Sequence, residues 1–303
     1  MARRRLSVQP IGRGPLRRPV IPVRRLTLRP EPGMAPLDAL VATPPDATGA
    51  LVYVPGFNTP LGEWEVAKCQ LLADASGLAV VVSELPGLSH HGDPIPEAVR
   101  RDLLRQRLQS WAELNFSYVA AALRTLDGLP VRQLLGYSTG CSLATASLPW
   151  LAELGTPEVL SLIEPVAIAP RRLAALAIHD AADLARLPAA LTTNRRQGWL
   201  RPLRGRMLSD RAVHYTFGDL LALTQVLRAD ELPAALGRSS PARVALVRGE
   251  RSALCPRPAF EALDRQLEDA GVAGPTIEVR GLGHQLWHSF PALVTVARAV
   301  LAG

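Results

Sequence analysis

The sequence predicts an α/β fold, in which helices flank a central sheet. With 303 residues, 48% of them hydrophobic, the chain is long enough for one large α/β domain, with or without an insertion. Short apolar runs that begin at residues 50, 134 and 276 have the composition of buried strands, and each leads into a glycine-containing turn. The second run continues into a helix-forming stretch, so we expect strands and helices to alternate along the chain.

The most informative motif lies between that second strand and its helix. Residues 134–144 read Leu-Leu-Gly-Tyr-Ser-Thr-Gly-Cys-Ser-Leu-Ala and contain Gly-x-Ser-x-Gly with Ser138 at the centre. A serine hydroxyl is a poor nucleophile at neutral pH, so it must project from a sharp turn where a base and backbone N–H groups can reach it. Gly136 and Gly140 leave room for such a turn because they have no Cβ atom. The pattern predicts a nucleophile elbow at Ser138.

Two other turns are expected to lie beside this serine. The first strand opens into Gly-Phe-Asn at 56–58, and the third is followed by Gly-Leu-Gly-His at 281–284. A histidine on a glycine-rich turn just beyond a strand can approach a serine and take its proton. We therefore expect His284 to be the base that serves Ser138.

These motifs stand in the order found in the α/β-hydrolases: strand and loop, then Ser138, then His284. A further landmark is the run 80–92, Val-Val-Val-Ser-Glu-Leu-Pro-Gly-Leu-Ser-His-His-Gly. It is similar to that family's strand followed by Asp-x-Pro-Gly-x-Gly-x-Ser, with Glu84 where aspartate is usual. From about residue 23 to its end, the chain resembles an α/β-hydrolase. The resemblance implies a mostly parallel central sheet flanked by helices, with Ser138 as nucleophile and His284 as base.

The resemblance also implies which groups bind the oxyanion and the substrate. The oxyanion donors would be the backbone N–H groups of Thr139, which follows the nucleophile, and of Phe57, which follows the first strand. Pro55 precedes Gly56 where relatives commonly have His-Gly, but backbone donors do not depend on that side chain. The candidate substrate contacts border these positions and are Asn58, Tyr137, His90 and Trp287.

The acid that should orient His284 is missing from its usual place. In most relatives an aspartate follows the strand equivalent to 242–247, but Ser252 or Ala253 occupies that position here. Two glutamates are candidates to orient the imidazole and stabilise its cation. We favour Glu164, which ends the strand after the elbow helix and resembles the position of the triad glutamate in some haloalkane dehalogenases. Glu250, at the tip of the more usual strand, is the alternative, and either residue could instead only pair with neighbouring arginines.

The segment least like the common core is 165–241. Its stretches 170–187 and 215–236 alternate apolar and charged residues and are typical of amphipathic helices. In this fold an insertion here usually forms a cap, so we expect a helical cap at 165–241 that supplies most of the substrate pocket. The hydrolase core would then comprise residues 23–164 and 242–303. The arginine-dense part at 191–206 could hold an acidic or carrier-bound substrate, although a solvated edge is the simpler interpretation.

The net charge of +7 comes from the first thirty residues. They contain nine arginines and no acidic residue, whereas the other 273 residues carry 25 basic and 27 acidic side chains. Such a leader could touch an anionic membrane, a nucleic acid or an acidic partner. We expect instead a poorly ordered basic extension at 1–22 that leads into an edge strand at 23–28, with neither nucleic-acid nor membrane binding.

Targeting and cysteine patterns bear on the cellular location of the protein and on whether it binds a metal. The arginine-rich start lacks the apolar core of a secretory signal, and no run reaches the length of a membrane span. Three widely spaced cysteines have no metal-ligand spacing, so we expect a cytoplasmic protein with no metal and no cofactor. Cys141, one helical turn after Ser138, is expected to be a buried apolar filler.

Together these features predict a serine hydrolase that cleaves an ester, thioester or amide bond of a small-molecule or acyl substrate through an acyl-enzyme. One alternative keeps the fold but transfers or cyclises the acyl group, or performs a lyase or isomerase step. Another alternative is a non-catalytic binding protein on a hydrolase scaffold. The sequence leaves the substrate and the oligomeric state open.

Overall fold

A mixed nine-stranded sheet forms the centre of the protein. The computed structural model describes residues 5–10, 15–155, 157–206, 212–229, 231–238 and 241–301. Across the sheet, the described strands follow the order β1-β9-β8-β7-β6-β4-β5-β3-β2. Their bounds are β1 Arg5–Val8, β2 Val23–Leu28, β3 Leu37–Ala42, β4 Ala50–Val54, β5 Ala79–Ser83, β6 Val131–Tyr137, β7 Val159–Ile163, β8 Val244–Gly249 and β9 Ala273–Val279.

The strands from β1 to β5 in this order pair in parallel, whereas β3 pairs antiparallel with both β5 and β2 and so runs opposite to the other described strands. In the middle, β6 lies between β4 and β7, with Val54 paired to Gly136 and Tyr137 paired to Ile163. The carboxyl ends of these three strands therefore meet at one edge of the sheet, where open α/β sheets usually bind their ligands. This is the mostly parallel sheet that the sequence predicts.

Helices cover both faces of the sheet. Their bounds are α1 Glu63–Ser76, α2 Glu97–Leu104, α3 Gln109–Leu123, α4 Thr139–Leu151, α5 Leu173–Leu184, α6 Leu187–Thr192, α7 Phe217–Leu227, α8 Glu231–Arg238, α9 Arg257–Asp269 and α10 Phe290–Val300. Short 3₁₀ turns occur at Thr193–Arg196, Gly198–Arg206 and His284–His288, among others. No helix of the described residues is both long and apolar enough to cross a membrane.

The two faces of the sheet build two separate hydrophobic layers. Strand β4 shows why: Val52 and Val54 join the layer under α3 and α4, whereas Leu51 and Tyr53 join the layer under α1 and α10. Successive side chains of a strand point to opposite faces, and a strand buried on both faces is apolar throughout. This is why the central strands appear in the sequence as unbroken apolar runs.

The N-terminal leader differs from the expected poorly ordered extension. Residues 5–8 form β1, which pairs in parallel with β9 at the sheet edge opposite β2. Leu6 and Val8 pack against the core, and the Leu16 N–H donates to Oε1 of Gln197 at 2.6 Å. An open strand edge offers unpaired backbone groups, and the leader supplies partners for them. Residues 1–4 and 11–14 lie outside the described residues, and 23–28 is an edge strand as expected.

The segment between β7 and β8 is helical, with α5 to α8 in the range expected from the sequence. Helix α7 begins with a capping box, in which the Thr216 side chain accepts from the N–H of Asp219 and the Asp219 carboxylate accepts from the N–H of Thr216. Helix α8 packs on α4, which follows Ser138. Helices α7 and α8 thus join the hydrophobic layer of α3 and α4, whereas Leu187 and Ala190 of α6 belong to the layer of α1 and α10.

Candidate active site

Ser138 sits in a strained turn between β6 and α4. Its φ of 56° and ψ of −121° lie in a region that residues with a Cβ atom rarely adopt, and its N–H donates to the Ile163 carbonyl at 2.9 Å. The glycines on both sides are required. A Cβ atom at Gly136 would lie 2.5 Å from the Gly140 carbonyl oxygen, and one at Gly140 would overlap the Val54 carbonyl. The turn therefore has the shape that the Gly-x-Ser-x-Gly pattern predicts.

A chain of hydrogen bonds joins three residues from different parts of the sequence. The Ser138 Oγ lies 2.9 Å from the His284 Nε2, and the His284 Nδ1 lies 3.0 Å from the Glu164 Oε2. These three side chains are 8%, 4% and 0% exposed. A proton on Nδ1 that is donated to the carboxylate leaves Nε2 free to accept the serine proton. The arrangement has the geometry of a nucleophile, a base and an orienting acid.

Glu164 is held tightly in this position. It follows β7 with a φ of 56°, and its own N–H donates to the Val247 carbonyl at 2.7 Å. Besides His284, its carboxylate accepts hydrogen bonds from the Gly249 N–H and, at 2.6 Å, from the Ser252 hydroxyl. A fully buried carboxylate needs such partners to offset its desolvation. Ser252, which occupies the usual place of the acid, is thus a hydrogen-bond donor to the glutamate.

The alternative acid, Glu250, lies elsewhere. Its side chain is exposed, and its Oε2 accepts a hydrogen bond from the Gly281 N–H at 2.8 Å. Between the two candidate glutamates, the structure brings only Glu164 to the imidazole of His284.

The two predicted oxyanion donors belong to turns that meet at Ser138. Thr139 is the first residue of α4, so its N–H has no acceptor within the helix and stands at the positive end of the helix dipole. On the other side, a Cβ atom at Gly56 would lie 3.1 Å from the Ser138 Cβ, so the turn that carries Phe57 packs directly against the nucleophile. Asn58 completes this turn with a φ of 55°.

Asn58 also lines an open cavity of about 360 Å³ beside the site. The other wall comes from the β7–β8 segment, whose Tyr215 ring lies 5.5 Å from the ring of Phe57. Neither Ser138 nor His284 lines this cavity. The residues that line it are Asn58, Pro60, Ala212, Val213, His214 and Tyr215.

Three of the predicted substrate contacts have other surroundings. Tyr137 is buried; its hydroxyl donates to the His284 carbonyl at 3.1 Å, and its ring stacks on His284 at 5.6 Å. Trp287 is fully buried, and its Nε1 donates to the Tyr53 hydroxyl. Both rings therefore lie in the core, on the buried side of the turn that carries His284. His90 lies 2.9 Å from the carboxylate of Glu84.

Asp183, a residue that the sequence analysis missed, ties the β7–β8 segment to the site. It lies near the end of α5, is fully buried, and accepts hydrogen bonds from the N–H groups of Ala253 and Leu254 at 2.9 and 2.8 Å. Its other oxygen, Oδ1, accepts a hydrogen bond from the Arg186 guanidinium at 3.1 Å and one from the backbone N–H of His284 at 3.5 Å. One carboxylate thus connects the turn after β8 to the turn of the histidine. Only the tertiary structure brings these segments together, so sequence spacing gave no signal.

Burial decides the protonation of the neighbouring groups. It raises the pKa of the Cys141 thiol well above its usual value, so the thiol stays protonated and donates to the carbonyls of Gly136 and Ile163. Burial, followed by the charge of Glu164, likewise raises the pKa of Tyr137, which remains a neutral donor. Burial lowers the pKa of His288 well below its usual value, so this ring stays uncharged. Cys141 has the buried environment that the sequence predicts, and it cannot compete with Ser138 as a nucleophile.

The family of the chain follows from a match over most of its length. The family model of the alpha/beta hydrolases matches residues 51–298, which include the elbow, the glutamate and the histidine turn. The chain belongs to the alpha/beta hydrolase family. No curated protein matches the sequence.

Solved structures of other hydrolases share the fold of this alpha/beta hydrolase. The thioesterase domain from the curacin biosynthetic pathway is 18% identical with a TM-score of 0.57, over 94% of this chain and 100% of that one. An esterase from Pyrobaculum calidifontis is 19% identical with a TM-score of 0.52, over 93% and 85%. A thermophilic esterase from Thermogutta terrifontis is 17% identical with a TM-score of 0.54, over 90% and 96%. At these identities the likeness concerns the fold.

Proposed function

We propose that this alpha/beta hydrolase is a serine hydrolase that cleaves an ester, thioester or amide bond through an acyl-enzyme. The observation that carries the proposal is the hydrogen-bonded chain from the Ser138 hydroxyl through the His284 imidazole to the Glu164 carboxylate. An inert serine at a sheet edge has no need of a buried histidine and a buried carboxylate aligned behind it.

In the proposed reaction, the Ser138 Oγ attacks the carbonyl carbon while its proton passes to the His284 Nε2. The N–H groups of Phe57 and Thr139 stabilise the negative charge on the carbonyl oxygen. The tetrahedral intermediate expels the alcohol, thiol or amine, which takes the proton from His284, and the acyl group stays on Ser138. Water then loses a proton to His284 and attacks the acyl-enzyme, which releases the acid and restores the serine. Glu164 keeps its charge throughout and stabilises the imidazolium.

We further propose that α5 to α8 act as a cap over a small-molecule or acyl substrate. The supporting observations are the cavity between Asn58 and the 212–215 stretch, and the contact of Asp183 with the turns after β8 and before His284. A cap so anchored would exclude water from the chemistry and set the width of the pocket.

A fluorophosphonate probe tests the proposal. The wild-type chain should become labelled on one serine, and Ser138→Ala should abolish the labelling while the fold, monitored by circular dichroism, is kept. Ser142→Ala is a matched control, because Ser142 is buried in the same helix and should leave the labelling intact. Absence of labelling at Ser138 in the folded wild-type protein would refute an activated serine.

Short-chain p-nitrophenyl esters and acyl thioesters then separate the bond classes. Hydrolysis predicts release of the free acid with a burst of the leaving group, whereas transfer to an added amine or alcohol predicts the corresponding amide or ester. Product analysis by mass spectrometry distinguishes the two, since both begin from the same acyl-enzyme.

A further inference from the structure

A cluster of histidines and carboxylates lies at the carboxyl end of β5, apart from the serine. Glu84 directly follows β5, and His90 and His91 lie in the loop beyond it. Asp38 is the second residue of β3, which runs antiparallel to β5 with Ala39 paired to Ser83. One nitrogen or oxygen atom from each of the four side chains lies within 4.8 Å of the corresponding atoms of the others.

The rings of the two histidines converge on the two carboxylates. The His90 Nδ1 lies 2.9 Å from the Glu84 Oε1, and its Nε2 lies 3.9 Å from the Asp38 Oδ2. The His91 Nε2 lies 3.3 Å from the Asp38 Oδ1, and the two imidazole rings are 3.9 Å apart. The four side chains therefore surround one point, although they come from two strands and a loop.

The backbone holds the carboxylates in place. Glu84 accepts hydrogen bonds from the N–H of His90 at 3.0 Å and from the N–H of Asp38 at 2.9 Å, one on each oxygen. Thr27 donates to the Asp38 Oδ1 at 2.9 Å. The side chains of Asp38 and Glu84 are 2% and 0% exposed, whereas those of His90 and His91 are 22% and 25% exposed. The two carboxylates are thus buried and held by hydrogen bonds, whereas the two imidazoles are partly exposed and have room to rotate.

The charges of the cluster favour a cation. Asp38 and Glu84 offer two carboxylates that attract a cation, and the guanidinium of Arg25 lies 3.6 Å from the Asp38 Oδ2.

We propose that Asp38, Glu84, His90 and His91 bind a divalent first-row transition-metal ion, with Zn²⁺ as the representative ion. Two imidazole nitrogens and two carboxylate oxygens are ligands that such ions accept in a tetrahedral arrangement. Bonds of about 2.1 Å would separate neighbouring ligand atoms by about 3.4 Å. The ligand atoms now lie within 4.8 Å of one another, so binding needs a contraction of up to about 1.4 Å, to which rotation of the two partly exposed histidines contributes.

The bound ion would stiffen the loop between β5 and α2. The Ser89 carbonyl in this loop accepts a hydrogen bond from the His214 N–H at 2.9 Å, and His214 lines the cavity beside Asn58. The ion would therefore act on the wall of the cavity through the backbone. It takes no part in the proposed serine chemistry, so the two proposals stand or fall separately.

Competition with a chromophoric zinc chelator on the metal-stripped full chain tests the site. The wild-type chain should bind one equivalent of Zn²⁺, and binding should raise its melting temperature. His91→Ala should weaken the affinity at least tenfold, since it removes a ligand whose side chain is partly exposed and not needed for folding. Glu84→Gln and His90→Ala should do the same.

Two further variants sharpen the test. Arg25→Gln removes the positive charge beside Asp38 and should tighten Zn²⁺ binding several-fold, a direction that general destabilisation would not produce. His179→Ala, in α5 and outside the cluster, should bind Zn²⁺ like the wild type. Absence of tight binding by the wild type, or equal weakening in His179→Ala and His91→Ala, would overturn the proposal.

Discussion

At the scale of single residues, the main feature is that the carboxylate beside His284 comes from the turn after β7, whereas the turn after β8 supplies a serine. The glutamate that faces His284 comes from the first turn, and the serine that stands in the usual place of the acid donates its hydroxyl to that glutamate. Because β7 and β8 are neighbours in the sheet, a longer side chain on one turn can reach the place that a shorter one on the other would fill.

This arrangement makes Glu164→Gln and Glu250→Gln an informative pair. Glutamine at 164 keeps the volume but cannot stabilise the imidazolium, so we expect the catalytic rate to fall by about 10⁴. Glutamine at 250 changes an exposed side chain and should leave the rate within about twofold. Steady-state ester hydrolysis measures both, with the serine-probe labelling rate as a second readout. Equal and mild effects of the two substitutions would contradict the assignment of the acid.

At the scale of secondary-structure elements, α5 is connected to the site through Asp183. This carboxylate accepts hydrogen bonds from two backbone N–H groups of the turn after β8 and from the backbone N–H of His284. Hydrogen bonds to a charged group contribute about 1.5–3 kcal/mol each. The bonds of Asp183 are therefore strong enough to fix the two turns relative to each other. The position of His284 therefore depends on a helix from the β7–β8 segment.

Asp183→Asn tests this positioning role. The amide keeps the size of the side chain but loses the charge that attracts several donors, so we expect the turns to loosen and the rate to fall about tenfold to a hundredfold. Asp74→Asn, at an exposed aspartate of α1 away from the site, is the control and should behave like the wild type. If Asp183→Asn lowers only the melting temperature and labels with the serine probe at the normal rate, its role is structural.

At the scale of the whole molecule, the sheet is completed at one edge by the leader. Strand β1 covers the backbone groups of β9, and Leu6 and Val8 extend the layer under α1 and α10.

Removal of residues 1–9 should lower stability more than activity. The deletion removes the pairing of β1 with β9 and the apolar contacts of Leu6 and Val8, a loss of about 2–3 kcal/mol. For a domain of this size, we expect the melting temperature to fall by about 3–5 °C while ester hydrolysis per folded molecule stays unchanged. Thermal denaturation followed by circular dichroism measures the shift. An unchanged melting temperature would show that β1 contributes little to stability.

Several features were predictable from the sequence because they depend on local chemistry. Apolar runs without polar interruption must lie in a sheet that is covered on both faces, and the glycines around Ser138 are needed for a turn that excludes Cβ atoms. The helical nature of the segment after β7 follows from its periodicity. The resemblance to the α/β-hydrolases, which rests on these motifs, is confirmed by the family match over residues 51–298.

Other features were decided only by the tertiary structure. Glu164 and Glu250 both end strands, and their sequence positions cannot show which carboxylate faces the imidazole and which faces solvent. The roles of Asp183 and of the cluster around Glu84 depend on residues that are far apart in the chain, as does the pairing of β1 with β9. The sequence by itself determined which segments form strands, turns and helices, because those depend on neighbouring residues. Only the packing of the sheet determined which side chains meet, because strand order brings together residues that the chain keeps far apart.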